Sequence, residues 1–144
     1  MNTNGSPLAW IVDIDGTLAL HSHHRNPYDW RSANRDLPNI PVVMAVQALA
    51  AHSSVAAIIL ISGRHEQARE LTLRWLDENS VPFDRLLMRA DGDNRSDEIV
   101  KEELFRSEIA PRYAIGGVID DRSRVVAMWR RIGLVCFQVA EGNF

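Results

Sequence analysis

Five apolar runs, each closed by polar residues or turn formers and separated by stretches of helical spacing, constrain this chain more than any other feature. Leu8–Ile14 alternates little and ends in carboxylates, which suits a strand buried on both faces. Val55–Ile61 is apolar throughout and rich in β-branched residues. Arg85–Met88, Tyr113–Ile119 and Leu134–Val139 supply three further strand candidates. Between them lie helical stretches at Val42–His52, His65–Asn79, Ser96–Ser107 and Arg122–Ile132. Pro41 can open the first of these, Ser96 is placed as an N-cap for the third, and Gly133 is placed to end the last. Strand alternating with helix implies a parallel α/β sheet with helices on both faces, because parallel strands need crossovers. Residues about 19–40 break the pattern: His, Arg, Asn, Pro and Tyr without periodicity read as an irregular insertion after the first strand.

A length of 144 residues fits one domain, so residues 1–144 are expected to form one unit with a small insertion. The net charge of −3 argues against broad clamping of a nucleic-acid backbone, while leaving room for a grip by a few placed arginines. Cys136 is the only cysteine, which excludes an intramolecular disulfide, and no secretory signal or membrane-spanning run is evident, so a reducing cytoplasm is expected. Lys101 is the only lysine among otherwise arginine cations.

In an open parallel sheet, ligands bind outside the carboxyl ends of the strands. Three strand candidates run there into Asp13-Ile14-Asp15-Gly16-Thr17, Ser62-Gly63-Arg64 and Asp120-Asp121, and Lys101 lies in the helix after another. Carboxylates suit a hard cation, so Asp13 with Asp120 or Asp121, and the backbone carbonyl of Asp15, are candidate magnesium ligands. A carboxylate such as Asp13 can also attack phosphorus. Asp15, if the Gly16 turn bends the chain, would move the proton. Ser62 and the N–H groups of a Ser62–Arg64 turn opening a helix would bind phosphate oxygens, and Lys101 would neutralise phosphoryl charge. Alone each motif is weak: D-x-D is common, Ser-Gly is an ordinary turn, Asp120-Asp121 serves as an N-cap, and a helical lysine is usually solvated. Their order and spacing together are specific.

The set Asp13/Asp15-Gly16-Thr17, Ser62, Lys101 and Asp120-Asp121 resembles the four motifs of the haloacid-dehalogenase (HAD) phosphatase superfamily. That resemblance implies a Rossmann-like three-layer sandwich with a five-stranded parallel sheet and a magnesium-assisted aspartyl-phosphate mechanism. It implies Asp13 as nucleophile, Asp15 as general acid and base, Thr17, Ser62, Gly63 and Lys101 around the phosphate, and Asp13, Asp15, Asp120 and Asp121 around the metal.

From about Ala9 onward, Arg25-Asn26-Pro27-Tyr28-Asp29, Ile61–Arg64, Ser96–Glu103, Ile119–Arg122 and Val126–Gly133 are similar to the 3′-phosphatase domain of bacteriophage polynucleotide kinase-phosphatase. The likeness adds Arg25, Arg64 and Asp97 to the substrate-binding set. Arginine offers a planar fork for phosphate, and Asp97, one helical turn before Lys101, is placed to orient its ammonium. The Gly-rich phosphate loop of a kinase is absent from this sequence, so the chain is expected to remove phosphate from DNA or RNA 3′ ends, a 2′,3′-cyclic phosphate being a related substrate, and not to add it. Two other readings remain: a phosphatase of small phosphomonoesters, and a non-catalytic domain that binds nucleic-acid ends or a repair partner. His21, His23 and His24 read as solvated loop residues, Trp30 as a packing or base-stacking residue, and Trp75, Trp129 and Cys136 as core.

Overall fold

The computed structural model describes residues 5–21 and 36–144. Its first strand, β1 (Leu8–Val12), is the middle of the sheet. A two-residue strand β2 (Ala19–Leu20) pairs antiparallel with β3 (Leu37–Pro38), followed by α1 (Ile40–Ala51) and β4 (Ala57–His65). A short 3-10 turn at Glu66–Ala68 leads into α2 (Arg69–Glu78), then β5 (Arg85–Arg89) and α3 (Asp97–Leu104), which continues as a wider π-type turn over Phe105–Ile109. The strand β6 (Ala114–Asp120), α4 (Ser123–Arg131) and β7 (Cys136–Gln138) complete the order.

The five long-range strands form a parallel sheet in the order β5-β4-β1-β6-β7. The chain moves outward from β1 to β4 and β5, then returns past β1 to β6 and β7. Parallel crossovers are right-handed, so the two directions of travel place their helices on opposite faces. Val42, Val43 and Val46 of α1 and Trp75 and Leu76 of α2 pack with Val12, Ile58 and Leu60. On the other face Phe105 and Ile109, and Val125, Val126, Met128 and Trp129 of α4, pack with Ala9, Ile11, Ile59 and Val118. Alternate residues of one strand therefore serve two cores, which is why the strands read as continuous apolar runs.

The observed elements correct two sequence expectations and bear out the position of a third. The insertion is not irregular at its base, where β2 and β3 form a ribbon and the Asn39 side-chain amide donates to the Thr17 carbonyl at 2.9 Å. The second long strand, β4, runs on through Ser62-Gly63-Arg64 to His65, so these residues are extended and do not form a turn that opens a helix. Ser96 occupies the N-cap position without a side-chain capping bond. Arg25, His23, His24 and Trp30 lie outside the described residues.

Trp10 on β1 is in register with Gly117 on β6, and its ring makes an edge contact with Phe137 at 5.6 Å. A Cβ on Gly117 would sit 2.5 Å from the Trp10 ring, so this strand tolerates no side chain there. Gly117→Val should therefore cost about 1–3 kcal/mol through overpacking, read as a lower midpoint in urea denaturation.

Candidate active site

The direction of travel along the sheet reverses between β1 and β6, and the crevice at such a switch point lies at the carboxyl ends of those two strands. Val12 is in register with Ile119, and the Asp13 N–H donates to the Ile119 carbonyl at 2.9 Å. The ladder thus sets Asp13 beside Asp120. Beyond Asp13 the chain curls: the N–H groups of Thr17, Leu18 and Ala19 all converge on the Ile14 carbonyl, and Gly16 adopts φ +83°. A Cβ at Gly16 would lie 2.1 Å from Asp121 Oδ2, so glycine is required both for the turn and for the approach of that carboxylate.

Asp13, Asp120 and Asp121 are all buried, and one carboxylate oxygen from each falls within 4.8 Å of the others. Against them stands Lys101, only 1% exposed, whose Nζ lies 2.7 Å from Asp13 Oδ1 and 3.2 Å from Asp120 Oδ2. The second oxygen of Asp13 faces the Thr17 hydroxyl at 3.0 Å, and the same hydroxyl reaches Asp121 Oδ1 at 3.2 Å. One hydroxyl proton can serve only one of those acceptors at a time. Asp120 is held by its neighbour's backbone, the Asp121 N–H donating to Oδ1 at 2.8 Å, and by the Trp129 indole N–H donating to Oδ2 at 3.1 Å.

Burial pushes the Asp13 carboxyl well above its ordinary value, Asp120 and Asp121 push it the same way, and Lys101 opposes them. Burial alone would lower Lys101, but the carboxylates of Asp120, Asp13 and Asp97 outweigh it and hold the ammonium above its usual range. Three buried carboxylates against one ammonium leave a negative surplus. Hard oxygen donors in this arrangement fit a divalent cation, held by Asp13, Asp120 and Asp121.

Asp15 belongs to a different group. Its carboxylate, 31% exposed, receives both arms of the Arg64 fork, from Nε at 2.8 Å and Nη2 at 2.6 Å. Arg64 also donates to Thr72 Oγ1 at 3.0 Å and reaches Asp36 Oδ2 at 3.3 Å. His21 Nδ1 lies 3.6 Å from Asp36 Oδ1. Asp15, His21 and Asp36 are close enough together to hold a cation, but the guanidinium already lies on two of them. The Gly16 curl turns the Asp15 carboxylate toward Arg64 on β4 and away from the carboxylate trio, while the metal ligand expected of Asp15 is its backbone carbonyl. His21, expected in solvent, lies against Asp36 at the edge of this group.

Ser62 is fully buried, and its Oγ accepts the Arg64 N–H at 3.1 Å, so that N–H is not free for phosphate as expected. Asp97 also differs from expectation. Its oxygens take Arg89 Nη2 at 2.7 Å and Arg122 Nη1 at 3.2 Å, while the hydrogen bonds of Lys101 go to Asp13 and Asp120. Asp97 acts on Lys101 through space, and its carboxylate occupies the place a Cβ on Gly63 would need, 2.2 Å from Oδ1. Asp36 and Arg89 were not legible beforehand. Asp36 sits in the aperiodic insertion, and its only signal is tertiary: the Trp75 indole N–H donates to its carbonyl at 2.8 Å. Arg89 had a positional signal, since it closes a strand at the ligand-binding edge. The Cys136 thiol, pushed up to about 12 by burial and by Asp120, is inert core as expected.

Residues 7–144 match the family of polynucleotide kinase PNKP phosphatase domains. A candidate bifunctional polynucleotide kinase/RNA ligase of Autographa californica nuclear polyhedrosis virus is 32% identical over 126 residues, covering 86% of this chain and 18% of the viral protein. Two solved structures of a Pnkp1/Rnl/Hen1 complex, one of them described as an RNA repair complex, superpose with TM-scores of 0.92 at 43% identity. They cover 98% of this chain and 45% and 48% of theirs, so the chain spans less than half the length of these relatives.

The raised Asp13 carboxyl carries a stability consequence. Between its ordinary value and the raised one, the unfolded chain has released the proton that the folded chain retains, so cation-free stability falls as pH rises through that window. With chelator present, Asp13→Asn should melt higher than the wild type by roughly 2–6 °C, the shift that about 1 kcal/mol makes in a domain of this size. The gap should widen with rising pH and close when magnesium chloride replaces the chelator.

Proposed function

The chain belongs to the family of polynucleotide kinase PNKP phosphatase domains, and we propose that it removes the terminal 3′-phosphate from nucleic-acid ends through a phosphorylated Asp13. The observation that carries this reading is the Lys101–Asp13 contact: one buried ammonium holds the carboxylate just past the carboxyl end of β1, beside Asp120 and Asp121. HAD-type phosphatases are metal-dependent, and a cation on Asp13, Asp120 and Asp121, magnesium by the hardness of the donors, would supply neutralisation of the phosphoryl oxygens.

In the first step an Asp13 oxygen forms a bond to phosphorus as the bond from phosphorus to the 3′-oxygen breaks. The leaving oxygen keeps the electron pair and takes a proton from Asp15. Oδ2 of Asp13 is available for attack when the Thr17 proton is given to Asp121. In the second step water attacks the phosphorus of phospho-Asp13 as Asp15 takes the water's proton; the bond from phosphorus to the Asp13 oxygen breaks, its electron pair restores the Asp13 carboxylate, and inorganic phosphate leaves. The Arg64 fork occupies both oxygens of Asp15, so that contact must loosen before the carboxyl can exchange a proton with the leaving oxygen. A phosphate that draws Arg64 onto its own oxygens would release Asp15 to carry the proton. Lys101 keeps Asp13 oriented through both steps, and Ser62 and Gly63 border the phosphate.

RNA ends are favoured over DNA by the RNA repair complex to which the solved relatives belong. No helix among the described residues is long and apolar enough to cross a membrane, and a reducing cytoplasm suits the single buried thiol. Asp13→Asn should abolish phosphate release from a 3′-phosphorylated oligonucleotide, and Asp15→Asn should slow it by about 10²–10⁴-fold. Release should require magnesium and stop with chelator. Faster turnover of a 3′-mononucleotide than of the oligonucleotide would move the substrate to small phosphomonoesters, and full activity in Asp13→Asn would end the mechanism.

A further inference from the structure

The ladder between β4 and β5 breaks its register at the phosphate-binding segment. Ser62 is paired with Met88, yet the next pair is His65 with Arg89, so Gly63 and Arg64 have no partner residue on β5. Such a bulge re-aims side chains, and it leaves backbone groups without ladder partners. The Arg89 side chain takes that place: its Nε donates to the Gly63 carbonyl at 2.8 Å. The same guanidinium, only 7% exposed, donates from Nη1 to the carbonyls of Asp93 and Arg95 and from Nη2 to Asp97 Oδ1 at 2.7 Å. Asp97 begins α3, and Lys101 stands one turn further along it. One buried planar cation thus joins the bulge that presents Ser62-Gly63-Arg64 to the helix that carries Lys101.

We propose that Arg89 is a positioning residue for the phosphoryl group, setting the separation of the Ser62–Arg64 segment and Lys101 through its bonds to Gly63 and Asp97. The inference rests on the phosphatase reading and extends it to a residue that touches no reacting atom. Lysine cannot replace it, because an ammonium is a point donor and cannot span four acceptors with fixed fork geometry.

The test compares wild type with Arg89→Lys, taking the affinity for inorganic phosphate by calorimetry and KM and kcat for p-nitrophenyl phosphate, all scaled to folded protein. Arg89→Lys should weaken phosphate binding and raise KM by about tenfold, with a smaller change in kcat, as expected for loss of a charge-assisted contact behind the binding segment. A merely structural role would lower the folded fraction, and hence the apparent kcat, while leaving phosphate affinity and KM unchanged; that result overturns the proposal. Arg89→Gln, a neutral donor of similar reach, carries the same measurements if the lysine variant does not fold. The effects of Arg89→Lys and Asp97→Asn should be less than additive in a double-mutant cycle, and full additivity would also count against the proposal. A wild type that binds phosphate but turns over no phosphomonoester would overturn the catalytic reading and this inference with it.

Discussion

A buried ammonium facing a surplus of buried carboxylates is the interaction around which this structure is arranged. Lys101 is 1% exposed and bonds to Asp13 and Asp120, with Asp121 beside them. Removing the ammonium from such a buried cluster costs about 3–5 kcal/mol, because the carboxylates are left without compensation in a medium that solvates them poorly. The lysine therefore cannot be treated as a surface residue that drifted inward. Its helix must dock where the ends of β1 and β6 meet, and that docking sets the position of α3 in the second layer. The unbalanced negative charge that remains is a cost to the fold and a means of binding a cation.

The two hydrophobic layers contribute to the polar centre as well as enclosing it. From one face Trp75, 1% exposed, donates its indole N–H to the carbonyl of Asp36; from the other Trp129, fully buried, donates to the Asp120 carboxylate. Replacing a buried tryptophan by alanine typically costs about 3–5 kcal/mol through packing alone. Here the same side chains also orient groups at the strand ends, so core and site are mechanically continuous. Gly16 and Gly63 do the converse: each gives up a side chain so that a carboxylate, Asp121 or Asp97, can lie against the backbone.

Two ion-pair systems result, with different chemistry. The Asp13–Lys101–Asp120 system is buried and tightly held, suited to keeping a nucleophile in place. The Asp15–Arg64–Asp36 system is partly exposed, with Asp15 at 31%, and is built on a fork whose arms a phosphate could claim. On the proposed mechanism, the group that gives and takes a proton within one cycle, Asp15, lies in the second kind of environment.

The local pattern of residues determined the five strands of the sheet, the four helices between them, the placing of Asp13, Asp15, Ser62, Arg64, Asp120 and Asp121 near strand ends, and that of Lys101 on a helix. Those features rest on periodicity and on turn chemistry, which act over a few neighbouring residues and are written directly in the chain. Partner choice was decided elsewhere. Asp97 lies one turn from Lys101 yet bonds to Arg89 and Arg122; Asp15 lies two residues from Asp13 yet turns to Arg64; Ser62 caps the Arg64 N–H that a helix-opening turn would have left free. Asp36 and Arg89 join the site across 28 and 26 residues of chain, through Arg64 and Gly63. A hydrogen bond depends on distances of a few tenths of an ångström, and only the packed sheet, its register and its bulge bring such remote groups within that range.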